Sequence, residues 1–249
     1  MELTSRAANG FLSALAADDF ELIRPHLKTA DLLPDSVLVG AGDKLRRAWL
    51  PHRGVISLIV NLSEGEHIQV AMIGRDSIFG VFSALGDPVA LNSAVVLVPG
   101  VASTIELERL HAVADQSVTL RALLMRHGLA AYAQVQQTAG CNAAHSVEAR
   151  LARCLLQIHD LSGGATFVLT QEFMAQMIGV RRNSVSMVAS TMQQAGVIHY
   201  SRGHIQILDL EALKKATCEC YGTVRTHYDR LVRPHCTETS RSTKPLSRR

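Results

Sequence analysis

The stretch QEFMAQMIGVRRNSVSMVAS, residues 171–190, decides how the rest of the chain is read. Apolar residues fall at Met174, Ile178, Val180, Val185 and Val188, with Ala175 and Gly179 between them. The spacing predicts a short helix over 171–178, a turn at Gly179 and a second helix from Arg182 to Gln194. Ala175 must be small because the second helix crosses there, and Gly179 supplies the positive φ of a tight turn. Thr170 suits the N-cap of the first helix, with Glu172 in its first turn. The second helix is expected to bury Val185, Val188, Ala189 and Met192. That leaves Arg181, Arg182, Asn183, Ser184 and Ser186 at its exposed leading end.

A leading end of this kind is useful in one setting above others. In a helix-turn-helix the first residues of the second helix meet base edges in the major groove of DNA. Arg bonds bidentately to guanine and Asn to adenine, each worth about 1–3 kcal/mol of discrimination. Arg181, Arg182, Asn183 and Ser186 are therefore expected to read bases, and Thr170, Gln171 and Ser184 to meet phosphates. A helical hairpin with a merely solvated tip would share the periodicity. The next segment, VIHYSRGHIQIL at 197–208, tells against it, because it reads as two short strands around a Ser-Arg-Gly-His turn. A helix-turn-helix followed by such a wing is a module for duplex DNA, with Arg202 and His204 at the wing tip placed to reach the backbone.

Charge is distributed accordingly. Residues 1–145 carry 11 Lys and Arg against 14 Asp and Glu, whereas residues 146–249 carry 14 against 8. The C-terminal part is thus the one suited to a polyanion. Hydrophobic content is 47% and charged content 19%, enough for a packed core and unlike a disordered chain. The longest apolar runs, such as AVVLV at 94–98, fall well short of the roughly 18 residues of a membrane helix. The opening MELTSRAANG has an acid and no apolar core, so a cytoplasmic chain without a membrane partner is expected.

The five cysteines are odd in number and too few for a disulfide framework. CEC at 218–220, with His227, His235 and Cys236 downstream, matches none of the paired CxxC spacings of zinc sites, so no metal is expected. The histidines are dispersed, and His52, His67, His145 and His159 are expected to be surface or structural. No GxSxG, HExxH or Gly-rich phosphate loop occurs, and no nucleophile–base pairing stands out, which argues against an enzyme.

Outward from the module, residues 32–107 alternate β-branched runs with turn signals, and SEGE at 63–66 reads as a hairpin turn. Many short strands at this spacing predict a closed sandwich or barrel. From Glu108 to about Leu161 the pattern is helical. Leu129, Tyr132, Val135 or Gln136, Ala139 and Ala143 fall near one face of a long helix, the narrow small-residue stripe that a two-fold helix pair uses. Burial of that helix within its own domain would give a similar pattern. Residues 237–249, TETSRSTKPLSRR, have no apolar period and are expected to be a disordered basic tail.

Residues 10–220 resemble the CRP/FNR-type bacterial transcription regulators. The likeness is carried by GRDSIFGVFSAL at 74–85 with NSAVV at 92–96, by HSVEARLARCLL at 145–156, and most specifically by residues 169–209. It implies an α+β chain: a jelly-roll-like N-terminal β-roll similar to the cyclic-nucleotide-binding fold over 1–125, a dimerisation helix over 126–146, and a winged helix-turn-helix over 147–236. It also implies a homodimer on a near-palindromic operator, with RNA polymerase as a further partner. No resident cofactor is implied, but a nucleotide-like effector in the roll is, at Gly80, Val81, Asn92 and Ser93.

The departures are specific. Members that bind cyclic AMP place a Glu after the glycine of the phosphate cassette and an Arg before a Ser/Thr-Ala pair; here Val81 and Asn92 stand there. A phosphate without its Arg loses a charge-assisted bond worth about 1.5–3 kcal/mol, which disfavours ordinary cyclic AMP and leaves another ligand or a bare scaffold. The catabolite-activator pattern Arg-Glu-Thr-Val-Gly-Arg is replaced by Arg182-Asn183-Ser184-Val185-Ser186-Met187, so the operator does not carry over. The N-terminal cysteine cluster of oxygen-sensing members is absent. The alternative function is a nucleotide-sensing signalling module whose C-terminal helices contact a protein instead of DNA.

Overall fold

The computed structural model describes residues 6–232; the basic tail, His235 and Cys236 lie outside the described residues. Two short helices, α1 (Gly10–Ala14) and α2 (Ala17–Ile23), precede strands β1 (Lys28–Leu32), β2 (Val37–Val39), β3 (Arg47–Asn61) and β4 (His67–Ile73). Helix α3 (Val81–Leu85) and strand β5 (Ser93–Glu106) follow, then α4 (Leu107–Gln116), α5 (Val118–Ala144) and α6 (Val147–Ser162). The C-terminal part comprises β6 (Thr166–Val168), α7 (Gln171–Ile178), α8 (Arg182–Gln194), β7 (Ile198–Ser201), β8 (His204–Ile207), α9 (Leu210–Ala216) and α10 (Cys220–Val232).

The first sheet is antiparallel in the order β1-β5-β3-β4, with β2 also on β5. Its two central strands are longer than the sequence suggested. Pro51, Gly54, Pro99 and Gly100 break the apolar pattern into short runs, yet β3 and β5 continue through them. The register slips between Pro51 and Ile56, where the two strands bend together. Gly54 and Gly100 make that bend feasible: a Cβ on Gly54 would lie 2.6 Å from Val98 O, and one on Gly100 2.2 Å from Arg53 O.

Each face of this sheet has its own core. Phe11, Leu12, Leu50, Ile56, Val96 and Ile105 pack with Leu110, Leu120 and Leu124 on one side. On the other, Val55, Met72 and Leu97 pack with α6 and the C-terminal module. Alternating side chains of a strand necessarily serve opposite faces, so β3 and β5 feed both cores. Contact across the second is close: a Cβ on Gly74 would lie 2.5 Å from Leu161 Cβ.

The long helix α5 begins at Val118, well before residue 126. Ser117 caps it, its Oγ accepting from Leu120 N at 3.1 Å. It ends at His145, the next residue, Ser146, already capping α6 through Ala149 N. This one-residue change of direction is the hinge between the roll with its long helix and the C-terminal module. Arg150 spans the hinge, donating from Nη1 to Asn142 O at 3.1 Å and Ile178 O at 3.0 Å.

Candidate nucleic-acid interface

The helix pair forms as its sequence dictates. Thr170 Oγ1 accepts from Phe173 N at 3.1 Å and caps α7, so this hydroxyl works inside the module. The chain leaves α7 through Gly179 at φ 61°, ψ 49°, with Val180 N returning to Ala175 O at 3.1 Å. Met174, Ala175, Ile178, Val185, Ala189 and Met192 are buried between the helices; Val188 is only half-buried.

Arg181, Arg182 and Asn183 are exposed at the leading end of α8, and Ser184 is half-buried. Arg181 occupies the N-cap in extended conformation without a side-chain cap bond. The first N–H groups of the helix therefore keep their capacity for an anion. Ser186 differs from its expected place. Its hydroxyl donates to Gln171 Oε1 at 2.7 Å and to Arg182 O at 3.1 Å, fastening α8 to α7. One residue on, Met187 is 72% exposed and extends the outward face. The sequence already marked it, as an apolar residue where the catabolite-activator pattern has Arg.

The wing is a three-stranded sheet, β6-β8-β7, of which sequence periodicity revealed only two strands. β6 is three residues long, too short for alternation to stand out. Between β7 and β8 the turn residues Arg202 and Gly203 have φ 49° and 82°, the two positive values of a type I′ hairpin. Leu169 N donates to Gly203 O at 2.7 Å, which pins the wing tip beside the start of α7. Arg202 and His204 are both exposed there. Tyr200 N donates to Gln193 Oε1 at 2.7 Å and ties the wing to α8. The leading end of α8, the α7 cap and the wing tip are thus held as one unit.

The roll contains a cavity of about 460 Å³ between its sheet, α3 and the middle of α5. Gly80, Val81 and Asn92 line it, together with Leu58, Val70, Phe82 and Tyr132. Ser93 does not: its Oγ accepts from Asn61 Nδ2 at 2.9 Å and Ala41 N at 3.2 Å within the sheet. No Asp, Glu, Lys or Arg is among the lining side chains, which suits an apolar guest better than a phosphate.

Four groups the sequence left scattered are brought together at the hinge: Cys141, His145, Cys218 and Cys220. Of the downstream candidates, His227 is not among them, and His235 and Cys236 lie outside the described residues. Burial pushes the Cys141 thiol up to about 12.

Residues 149–216 match the family model of the Crp-like helix-turn-helix domain. Comparison with curated proteins gives no significant sequence match. A putative CRP/FNR-family transcriptional regulator from Eubacterium rectale superposes with a TM-score of 0.66 at 17% identity, covering 84% of this chain and 98% of its own. FixK2 from Bradyrhizobium japonicum gives 0.65 at 15%, covering 77% and 98%. The c-di-GMP-responsive global regulator CLP from Xanthomonas campestris gives 0.61 at 16%, covering 78% and 100%. Among the described residues no helix is long and apolar enough to cross a membrane. The chain therefore has the fold of the CRP/FNR transcription regulators, with a Crp-like helix-turn-helix domain at residues 149–216.

Proposed function

We propose that the protein is a transcription regulator that binds a near-palindromic operator as a homodimer. The observation that carries this is the exposed group Arg181, Arg182 and Asn183 on an uncapped helix N-terminus, fixed beside the wing tip. Arg181, Arg182 and Asn183 read base edges, Met187 offers its methyl to a thymine, and Arg202 and His204 meet phosphates. Thr170, Gln171 and Ser186 position these groups through the bonds already described. Ser184, half-buried, is a phosphate donor at the rim.

The dimer seam is the outer face of α5. Met125, Leu129, Tyr132, Gln136, Ala139 and Ala143 recur alternately four and three residues apart, and the first three are 52%, 47% and 56% exposed. This is the heptad stripe of a two-stranded coil, with small residues towards the end nearest the DNA-binding module. Tyr132 belongs both to the stripe and to the cavity wall. A guest in the roll thereby alters the relation of the two α5 helices and, through the hinge, of the two recognition helices. The cavity favours an apolar or weakly polar effector, and cyclic AMP is not expected to act. RNA polymerase is the partner such a regulator implies.

Selection of binding sites from random duplex DNA tests the proposal. The expected product is a palindrome with half-site centres about 10 bp apart, or that plus a whole turn. Failure to retain any duplex at low salt would instead favour a signalling module that docks on a protein. Calorimetry with cyclic mono- and dinucleotides and with apolar ligands of matching volume then addresses the effector.

A further inference from the structure

Three cysteines and a histidine, distant in sequence, meet where the long helix ends. Cys141 lies in the last turn of α5, His145 is its C-cap, and Cys218 and Cys220 lie where the chain enters α10. Their ligand atoms all fall within 4.8 Å of one another. Cys141 Sγ is 3.6 Å from Cys218 Sγ, and Cys220 Sγ is 3.5 Å from His145 Nδ1. A tetrahedral zinc with Zn–S of about 2.3 Å sets its sulfurs about 3.8 Å apart, so one ion matches this spacing.

The surroundings match as well. His145 Nε2 is 3.2 Å from Glu219 Oε1, so a proton on Nε2 is held by the carboxylate and Nδ1 is left free as a ligand. Gln137 Nε2 donates to Cys220 Sγ at 3.0 Å from the facing helix. Arg153 is a second, independent observation. It is 2% exposed, sits beside Cys141, donates from Nη1 to Gln157 Oε1 at 2.9 Å, and has no carboxylate partner among the described residues. A buried guanidinium needs a counter-charge. Three thiolates and a neutral imidazole around Zn2+ give a centre of net charge −1, which Arg153 balances.

We propose that Cys141, His145, Cys218 and Cys220, gathered from the end of α5 and the start of α10, form a structural site for one Zn2+ ion. Binding releases the three thiol protons to solvent and leaves Zn2+ with three sulfurs and Nδ1. The ion clamps α10 against α5 and fixes His145, the residue at which the chain turns towards the DNA-binding module. The site stands on its own geometry, whether or not the chain binds DNA.

The test uses the full-length chain isolated under reducing conditions. Elemental analysis should find one zinc per chain. Exchange with Co2+ should give the visible d–d bands of a tetrahedral ion together with thiolate-to-cobalt charge transfer. Glu219→Gln, at an exposed position outside the ligand set, should weaken Zn2+ affinity by roughly 10–100-fold in competition with a chelator. Cys218→Ser should weaken it further and reduce the charge-transfer band, while Glu211→Gln on the neighbouring helix changes neither. Reduced protein that takes up neither Zn2+ nor Co2+ would overturn the proposal. So would a Cys218→Ser variant with an unchanged cobalt spectrum, or a Cys141–Cys218 disulfide in protein freshly isolated without reductant.

Discussion

Two exposed arginines, Arg182 and Arg202, are held differently, and the proposed reading therefore assigns them different consequences. Arg182 opens α8, and in the proposed reading its planar fork discriminates between bases. Arg182→Ala should weaken specific binding by about 1–3 kcal/mol and relax one operator position, measured by titrating a panel of single-base operator variants. An unchanged ranking of the panel would refute the assignment. Arg202 sits at φ 49° in a two-residue turn, and in the proposed reading its side chain meets a phosphate rather than a base edge. Arg202→Ala should weaken binding to every sequence alike and lower the slope of log K against log salt by about 0.9. A defect confined to particular operators would contradict that. At this scale the residue types at the leading end of α8 were legible, because donor chemistry and helix position are local. The inward turn of Ser186 was not, since its partner Gln171 lies on the other helix.

Among the elements, α5 has the most demands on it. Its outer stripe is exposed, while His127, Gln137 and Cys141 face α10 on the opposite side. The helix is therefore neither wholly internal nor wholly exposed, and its outer stripe is the face the proposed dimer would use. Leu129→Glu would place like charges across the proposed two-fold seam. It should raise the dimer dissociation constant on the order of 100-fold while leaving helicity intact, as read by sedimentation and circular dichroism. A dimer of unchanged affinity would move the seam elsewhere. The stripe was visible in the sequence because a heptad is a local pattern. The occupant of the other face was not, because α10 arrives from nearly a hundred residues away. The sheet teaches the same lesson: glycines and prolines that read as strand ends turn out to be bends within β3 and β5.

For the whole molecule, the interior joining roll, long helix and C-terminal helix contains a titrating group. His127 is buried against Phe11 and Tyr228, and its Nδ1 is 2.8 Å from Ser77 Oγ. Burial, reinforced by Arg126, pushes its pKa down to about 3 from 6.5. Below pH 6.5 the unfolded chain takes up a proton that the folded chain refuses. The contribution of a neutral His127 is thus complete above that pH and falls with acidification by about 1.4 kcal/mol per unit. Asp76, held up at about 6 by burial, has the opposite sign: it stabilises at low pH and that contribution fades as pH rises through 6. The comparison is therefore made against His127→Phe. The stability of the wild type relative to this variant should drop by about 2 kcal/mol between pH 6.5 and 5 in urea titrations. A difference that does not change with pH would show that His127 titrates normally.

The sequence by itself determined the helix-turn-helix, its polar leading end, the wing turn and the exposed stripe of the long helix. Each is written in spacings of a few residues, over which a helix or hairpin imposes its own period. Only the tertiary structure decided that Ser93 is used up within the sheet and that the roll cavity has an apolar wall. The same holds for the meeting of Cys141 and His145 with Cys218 and Cys220. Such proximity depends on how distant segments pack, and packing is set by the shape and volume of whole surfaces, which no local period records.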